Sequence, residues 1–215
     1  MSKSKYCVAS SLALLALGAL CASAGAQDFL PSTARTIPAG DLRFTAYPAA
    51  LFGKNNGPDR WGGAGRVGYG ITDNFDVQGK AAVFNGFSLV GLDTSYWILR
   101  GDVNLGLSLG AHKALMQSAP DSTAVDASWQ MSTRLSRRVR FEGGMSLSLE
   151  SIDHVRNSRF SRVYVVPGVN YRISHQVDFV SQLGLGLNNN SPNYLTAGFS
   201  FDLPVSESAR RRGPE

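Results

Sequence analysis

The chain has 215 residues, a formal net charge of +5 at pH 7 and 17% charged residues, below the roughly 25% of an average soluble protein. So small a positive charge does not indicate a nucleic-acid partner. Both cysteines, Cys7 and Cys21, fall within the first 26 residues. If that segment is removed, the mature chain has no disulfide, thiolate or cysteine–metal chemistry.

The first 26 residues are predicted to be a cleaved signal peptide. Lys3 and Lys5 give a positive start, residues 8–20 are apolar, and residues 24–26 are small. We therefore expect cleavage before Gln27. The apolar stretch is shorter than the about 20 residues that a helix needs to cross a bilayer, which argues against the alternative of a retained anchor.

The remaining chain is predicted to be all-β. No later segment is apolar over the about 18 residues of a transmembrane helix, whereas many segments alternate between apolar and polar residues. In residues 140–150 and 194–203, one face is apolar and the other is almost entirely polar or small. This pattern predicts ten strands, with eight as the alternative count, near residues 41–51, 61–71, 75–84, 89–100, 103–115, 123–135, 139–150, 160–173, 177–187 and 194–203.

The connections between these strands alternate in length, which predicts an up-and-down topology. Short links lie near residues 72–74, 101–102, 136–138 and 174–176, and the others are longer except at Asn85-Gly86. Outer-membrane barrels have short periplasmic turns and longer external loops. With an even number of strands, both chain ends would lie on the side of the short turns.

Two segments carry a resemblance to a known group of proteins. Residues 68–77, Gly-Tyr-Gly-Ile-Thr-Asp-Asn-Phe-Asp-Val, and the amphipathic last strand at 194–203 resemble small Gram-negative outer-membrane β-barrel proteins. The resemblance implies a transmembrane antiparallel barrel over residues 41–203, a periplasmic linker at 27–40 and a periplasmic tail at 204–215. It also implies contact with outer-membrane lipid and lipopolysaccharide, and with the barrel-assembly machinery and periplasmic chaperones during biogenesis.

Fourteen charged residues of the predicted strands fall on the polar face. A charge on the lipid face would cost about 2–4 kcal/mol for Arg or Lys at the bilayer midplane, so this face should line the interior. We expect these charges to pair and to plug the lumen. A charged pore lining is the alternative. The predicted lumen charges are Arg43, Arg66, Asp76, Lys80, Asp93, Asp126, Arg134, Arg140, Glu142, Glu150, Arg162, Arg172, Asp178 and Asp202.

The sequence predicts no catalytic, cofactor-binding or metal site. The histidines of the mature chain are His112, His154 and His175, and only His154 has a neighbouring acid, Asp153. No second acidic pair is placed to activate a water with them. We therefore predict an outer-membrane barrel with a structural or surface-interaction role. A narrow porin is the alternative, and a barrel enzyme or a soluble ligand-carrying barrel ranks after both.

Overall fold

The computed structural model describes residues 34–54, 57–153 and 158–205. The predicted signal peptide with its cleavage site, His154, and most of the predicted tail lie outside the described residues. Within these ranges, no helix has the length and apolar character needed to span a membrane.

Eleven antiparallel strands form one closed sheet, which confirms the predicted all-β barrel. Apart from the eighth and ninth strands, which do not pair with each other, each strand pairs with its neighbours in the chain, and the first pairs with the last over ten residue positions, Asp41 opposite Pro204 through Phe52 opposite Asn193. The strands are β1 (Asp41–Phe52), β2 (Arg60–Thr72), β3 (Phe75–Phe84), β4 (Phe87–Leu99), β5 (Val103–Met116), β6 (Ser122–Arg134), β7 (Val139–Ile152), β8 (Arg159–Val165), β9 (Gly168–Arg172), β10 (Val177–Gly186) and β11 (Asn193–Pro204).

The eleventh strand arises because the predicted strand 160–173 is interrupted at Pro167. Both pieces, β8 and β9, pair with β7 on one side and β10 on the other, so together they make one of ten crossings. Proline has no N–H to donate to a neighbouring strand. The wall nevertheless stays hydrogen-bonded, because Val166 N donates to Gly144 O at 2.9 Å and Leu183 N donates to Pro167 O at 2.9 Å.

We call the two ends of the barrel the loop end and the turn end. The loop end carries the links at residues 53–59, 117–121, 153–158 and 187–192, and also the two-residue turn Asn85-Gly86. Gly86 has a φ of 101°, a conformation that favours glycine. The turn end carries the four shorter links, and both described chain ends lie there.

The alternation in burial separates the interior from the outer surface. In β4, Leu92 is 64% exposed while the adjacent Asp93 is 1% exposed, and the other strands follow the same period. The wall is one sheet thick, so an alternating buried side chain must point inward. The polar face therefore lines the lumen, and the large apolar side chains face out.

The interior is not polar along its whole length. At the loop end, inward side chains form an apolar cluster, whereas the sequence pattern predicted a polar interior face throughout. The pattern indicates which face a residue occupies but not how a narrow lumen is filled. The cluster, called here the aromatic layer, comprises Tyr47, Ala49, Leu51, Ala82, Phe84, Phe87, Leu89, Tyr164 and Tyr194.

The packing of the aromatic layer requires a residue without a side chain at position 184, which is Gly184. The ring of Tyr194 lies over Gly184, its partner on the neighbouring strand, and packs on Tyr164 with ring centroids 5.4 Å apart. A Cβ at position 184 would overlap the Tyr194 ring. Gly184→Ala should therefore destabilise the barrel by about 1–3 kcal/mol in denaturant unfolding, the usual cost of overpacking.

Gly79→Ala is the matched control for this substitution. Gly79 lies on the outer face of β3, where a new Cβ would have no atom nearer than 3.9 Å. We expect it to leave stability unchanged or slightly raised. Equal losses for the two variants would contradict the proposed role of Gly184.

Candidate functional site

The centre of the lumen holds a chain of buried ion pairs on neighbouring strands. Lys80 Nζ lies 2.7 Å from Asp93 Oδ1 and 2.8 Å from Asp126 Oδ2, and Arg66 Nη2 lies 3.0 Å from Asp93 Oδ2. These four side chains are at most 4% exposed. Burial of single charges is costly, so the alternation of signs is what lets the four occupy the interior.

Two further side chains, His112 and Ser148, contact Asp126. His112 Nδ1 lies 2.6 Å from Asp126 Oδ2, and Ser148 Oγ donates to Asp126 Oδ1 at 2.5 Å. An ionised carboxylate only accepts hydrogen bonds, so Nδ1 of His112 carries the proton. His112 received no role from the sequence, although its inward parity on β5 places it on the same face as the predicted charges.

A second ion pair lies between this network and the loop end. Arg162 Nη2 is 3.2 Å from Glu150 Oε2, and Ser122 donates its hydroxyl hydrogen to the same carboxylate. The guanidinium carbon of Arg162 lies 5.1 Å from the centre of the Phe160 ring, within the range of a cation–π contact. The charge of Glu150 is thus neutralised by Arg162, on the side of the ion-pair network that faces the aromatic layer.

Further pairs occupy the turn end. Arg43 and Asp202 form a two-pronged contact, with Nε 2.6 Å from Oδ1 and Nη2 2.9 Å from Oδ2. Arg172 Nε lies 3.6 Å from Asp178 Oδ1. The first pair joins β1 to β11 and the second joins β9 to β10, so both lie across strand junctions.

The N-terminal segment at residues 34–40 also enters the lumen at the turn end. Ile37 is fully buried and donates its backbone N–H to Asp76 Oδ2 at 2.8 Å, and Thr36 Oγ1 donates to Asp73 O at 2.7 Å. Ala34 sits against Gly106 of β5, where a Cβ would come within 2.8 Å of Ala34 O. The sequence predicted only a linker here, and it offered no signal for this contact.

The structure brings most of the fourteen predicted lumen residues into contact, but not all of them. Glu142 is buried beside a cavity of about 20 Å³ without an ion pair within 4 Å among the described residues. Arg134 is exposed at the end of β6 and, with Arg140 and Arg172, borders a cavity of about 20 Å³ at the turn end. The interior-facing, ion-paired members are Arg43, Arg66, Lys80, Asp93, Asp126, Glu150, Arg162, Arg172, Asp178 and Asp202.

Of the acidic and histidine residues outside the lumen that the structure describes, Asp153 lies at the loop end and His175 at the turn end. Asp153 pairs with Lys113 at 3.1 Å and accepts a hydrogen bond from Thr123 Oγ1 at 3.2 Å, while its neighbour His154 lies outside the described residues. His175 is exposed in the turn between β9 and β10. Over the described parts of the chain, no group of three or more His, Cys, Asp or Glu residues is arranged to hold a metal ion.

A further cavity in the lumen lies at the loop end. It measures about 130 Å³ and is bounded by the aromatic layer on one side and by His112, Glu150 and Arg162 on another. Pro58 and Pro192, from two of the connecting segments, border it at the outer side. We call it the outer cavity.

No protein-family model matches this chain, and no curated protein is similar to it in sequence. Similarity is found among solved structures. An outer membrane channel from Pseudomonas putida F1 has a TM-score of 0.53 and 11% identity, covering 82% of this chain and 100% of that chain. The outer membrane protein OprG from Pseudomonas aeruginosa has a TM-score of 0.41 and 11% identity, covering 80% and 99%.

A third similar structure is the NanC porin, with a TM-score of 0.43 and 13% identity, covering 75% of this chain and 98% of that chain. At these identities the likeness concerns the fold. The chain is a closed antiparallel β-barrel, and its structural neighbours are outer-membrane barrel proteins of Gram-negative bacteria.

Proposed function

We propose that this protein is an integral outer-membrane barrel with a closed lumen and a structural or surface-interaction role. The observation that carries the proposal is the filling of the interior in three successive layers. These are the N-terminal segment at the turn end, the ion-pair network around Lys80 in the middle, and the aromatic layer at the loop end. Barrels of about eight strands have interiors that side chains can fill, whereas 16–18-stranded porins leave an aqueous channel.

Residence in the membrane is supported by the outer surface. Large apolar side chains are exposed along the middle of the strands, such as Leu92 and Leu109. Such an array is unusual on a monomer in water and is typical of the lipid-facing band of a barrel. Exposed aromatic residues flank the band, with Trp61 near the loop end and Tyr69 and Tyr96 near the turn end. Aromatic residues favour the two membrane interfaces.

The partners that follow from this proposal are those of a barrel in the outer membrane. Its outer surface would contact lipid and lipopolysaccharide, and β11, with apolar Phe199, Phe201 and Leu203 on its outer face, would be read by the barrel-assembly machinery. Periplasmic chaperones would hold the chain before insertion. A surface-interaction role would use the connecting segments at the loop end.

Conductance measurements test the closed lumen directly. Refolded protein inserted into planar bilayers should give no steady single-channel steps, because the buried ion pairs and the aromatic layer occupy the interior of the described strands. Folding of each sample should be checked by its altered gel migration before and after boiling. An established 16-stranded porin inserted under the same conditions provides the positive control.

Reproducible conductance steps of a single size from the folded sample would contradict the proposal. They would instead support the alternative of a narrow transport channel, in which the N-terminal segment or the aromatic layer moves aside. Steps that come only from samples lacking the folded gel band would leave the proposal standing, since they arise from misfolded protein.

A further inference from the structure

The outer cavity has the size of a small ring compound. Its volume is about 130 Å³, and an apolar cavity of about 150 Å³ is known to take up benzene. It lies inside the barrel just below Pro58 and Pro192, on the side of the connecting segments of the loop end. A ligand would therefore enter from the loop end and would stop above the ion-pair network.

Much of the wall of the outer cavity is apolar and well packed. Leu51, Phe87 and Leu89 are buried members of the aromatic layer, and Met116 packs against them. Phe87 is held flat against Phe84, with ring centroids 5.0 Å apart and an interplanar angle of 7°. A rigid wall of this kind suits a flat apolar ring, because little side-chain freedom is lost when the ring binds.

One polar group at the cavity lacks a partner. The imidazole of His112 borders the cavity and is 3% exposed, and its Nδ1 is occupied by Asp126. Its other nitrogen, Nε2, is buried and has no hydrogen-bond partner among the described residues. A buried polar atom without a partner costs free energy, so a ligand that pairs with Nε2 gains on binding.

The charges around His112 indicate what kind of group should meet Nε2. Arg162 is neutralised by Glu150, and Arg66 and Lys80 are balanced by Asp93 and Asp126. Since Nδ1 carries the proton and donates to Asp126, Nε2 offers a lone pair and accepts a hydrogen bond. The fitting ligand group is thus a neutral donor such as a hydroxyl.

We propose that the outer cavity is a binding site for a small neutral ring compound with a hydroxyl group, of the phenol class. Its ring would pack on Phe87, Leu89 and Met116, and its hydroxyl would donate to Nε2 of His112. This inference goes beyond the proposed function and is independent of it, since a closed lumen does not require a ligand in the outer cavity.

Three probes on the unaltered, folded protein test the polar contact. In equilibrium dialysis against the detergent-solubilised protein, phenol should show a saturable component above partition into the micelles. Toluene, which has the ring without the hydroxyl, should bind at least ten-fold more weakly. Equal binding of phenol and toluene, or tighter binding of benzoate than of phenol, would overturn the proposal.

A cavity-filling variant tests the location. Ala114 borders the outer cavity on β5, so Ala114→Phe should reduce saturable phenol binding at least ten-fold. Leu109→Phe adds a similar side chain to the outer face of the same strand and should leave binding unchanged. Equal loss in both variants, or retained binding in folded Ala114→Phe, would contradict the site.

Nuclear magnetic resonance of ¹⁵N-histidine gives a readout that does not depend on any cavity variant. Phenol should shift the Nε2 signal of His112 and leave those of His154 and His175 in place. The three signals are assigned with His154→Gln and His175→Gln. No movement of the His112 signal at saturating phenol would overturn the proposal, even if Ala114→Phe fails to fold.

Discussion

Replacing Lys80 by methionine should destabilise the folded barrel by about 3–5 kcal/mol, the cost of removing one partner from a buried charge cluster. Lys80 is fully buried and lies within 3 Å of both Asp93 and Asp126. Methionine has a similar length, so the packing changes little. The two carboxylates, however, would lose the lysine that joins them and keep Arg66, His112 and Ser148 among their stabilising partners.

Urea unfolding of the protein refolded into lipid vesicles measures this loss. Lys113→Met is the matched control, because Lys113 lies on β5 in exposed pairs with Asp121 and Asp153, and exposed pairs contribute little. Adding Asp126→Asn to Lys80→Met should recover part of the stability, since Arg66 still pairs with Asp93 and the substitution removes the carboxylate that has lost its lysine. If Lys80→Met and Lys113→Met behave alike, the network is not the stabilising centre of the lumen.

Placing an arginine at Leu109 should cost about 2–4 kcal/mol of stability in a bilayer, the penalty for this charge at the midplane on the lipid face of a barrel. Leu109 is 57% exposed on the outer face of β5, near the middle of the strand Val103–Met116. If the same surface faced water instead, an exposed substitution would change stability by no more than about 0.5 kcal/mol. The variant therefore separates a membrane barrel from a soluble one.

Val103→Arg is the control for depth in the membrane. Val103 has the same outward orientation but begins β5, about 20 Å along the strand from Leu109 at a rise of about 3.4 Å per residue. Near the interface the penalty should fall to about 0–1 kcal/mol. Unfolding of both variants in vesicles should show this gradient. Equal small effects at both positions would contradict a lipid-facing surface.

The strands could be predicted from the sequence because each of them meets two different environments. Residues 139–150 and 194–203 alternate cleanly, and the structure has strands at Val139–Ile152 and Asn193–Pro204. The break at Pro167 could not be placed from the sequence, because the alternation of residues 160–173 continues across it. Only the pairing in the structure shows the interruption, since β8 and β9 pair with separate parts of β7.

The sequence by itself determined where most strands lie, that short and long links alternate, and the face on which most of the charges lie. A period of two residues and the high cost of a charge in lipid are enough to decide these features. Only the tertiary structure decided which charges meet. Arg43 and Asp202 are 159 positions apart and become partners because closure of the barrel brings β1 against β11.

The contents of the lumen were likewise decided by the tertiary structure. The entry of residues 34–40, the aromatic layer and the free Nε2 of His112 depend on side chains that converge from many strands. A periodic pattern is a local property of one strand, and it assigns each residue to a face. Which interior residues touch depends on strand register and barrel closure, because contacts across the lumen join residues far apart in the chain.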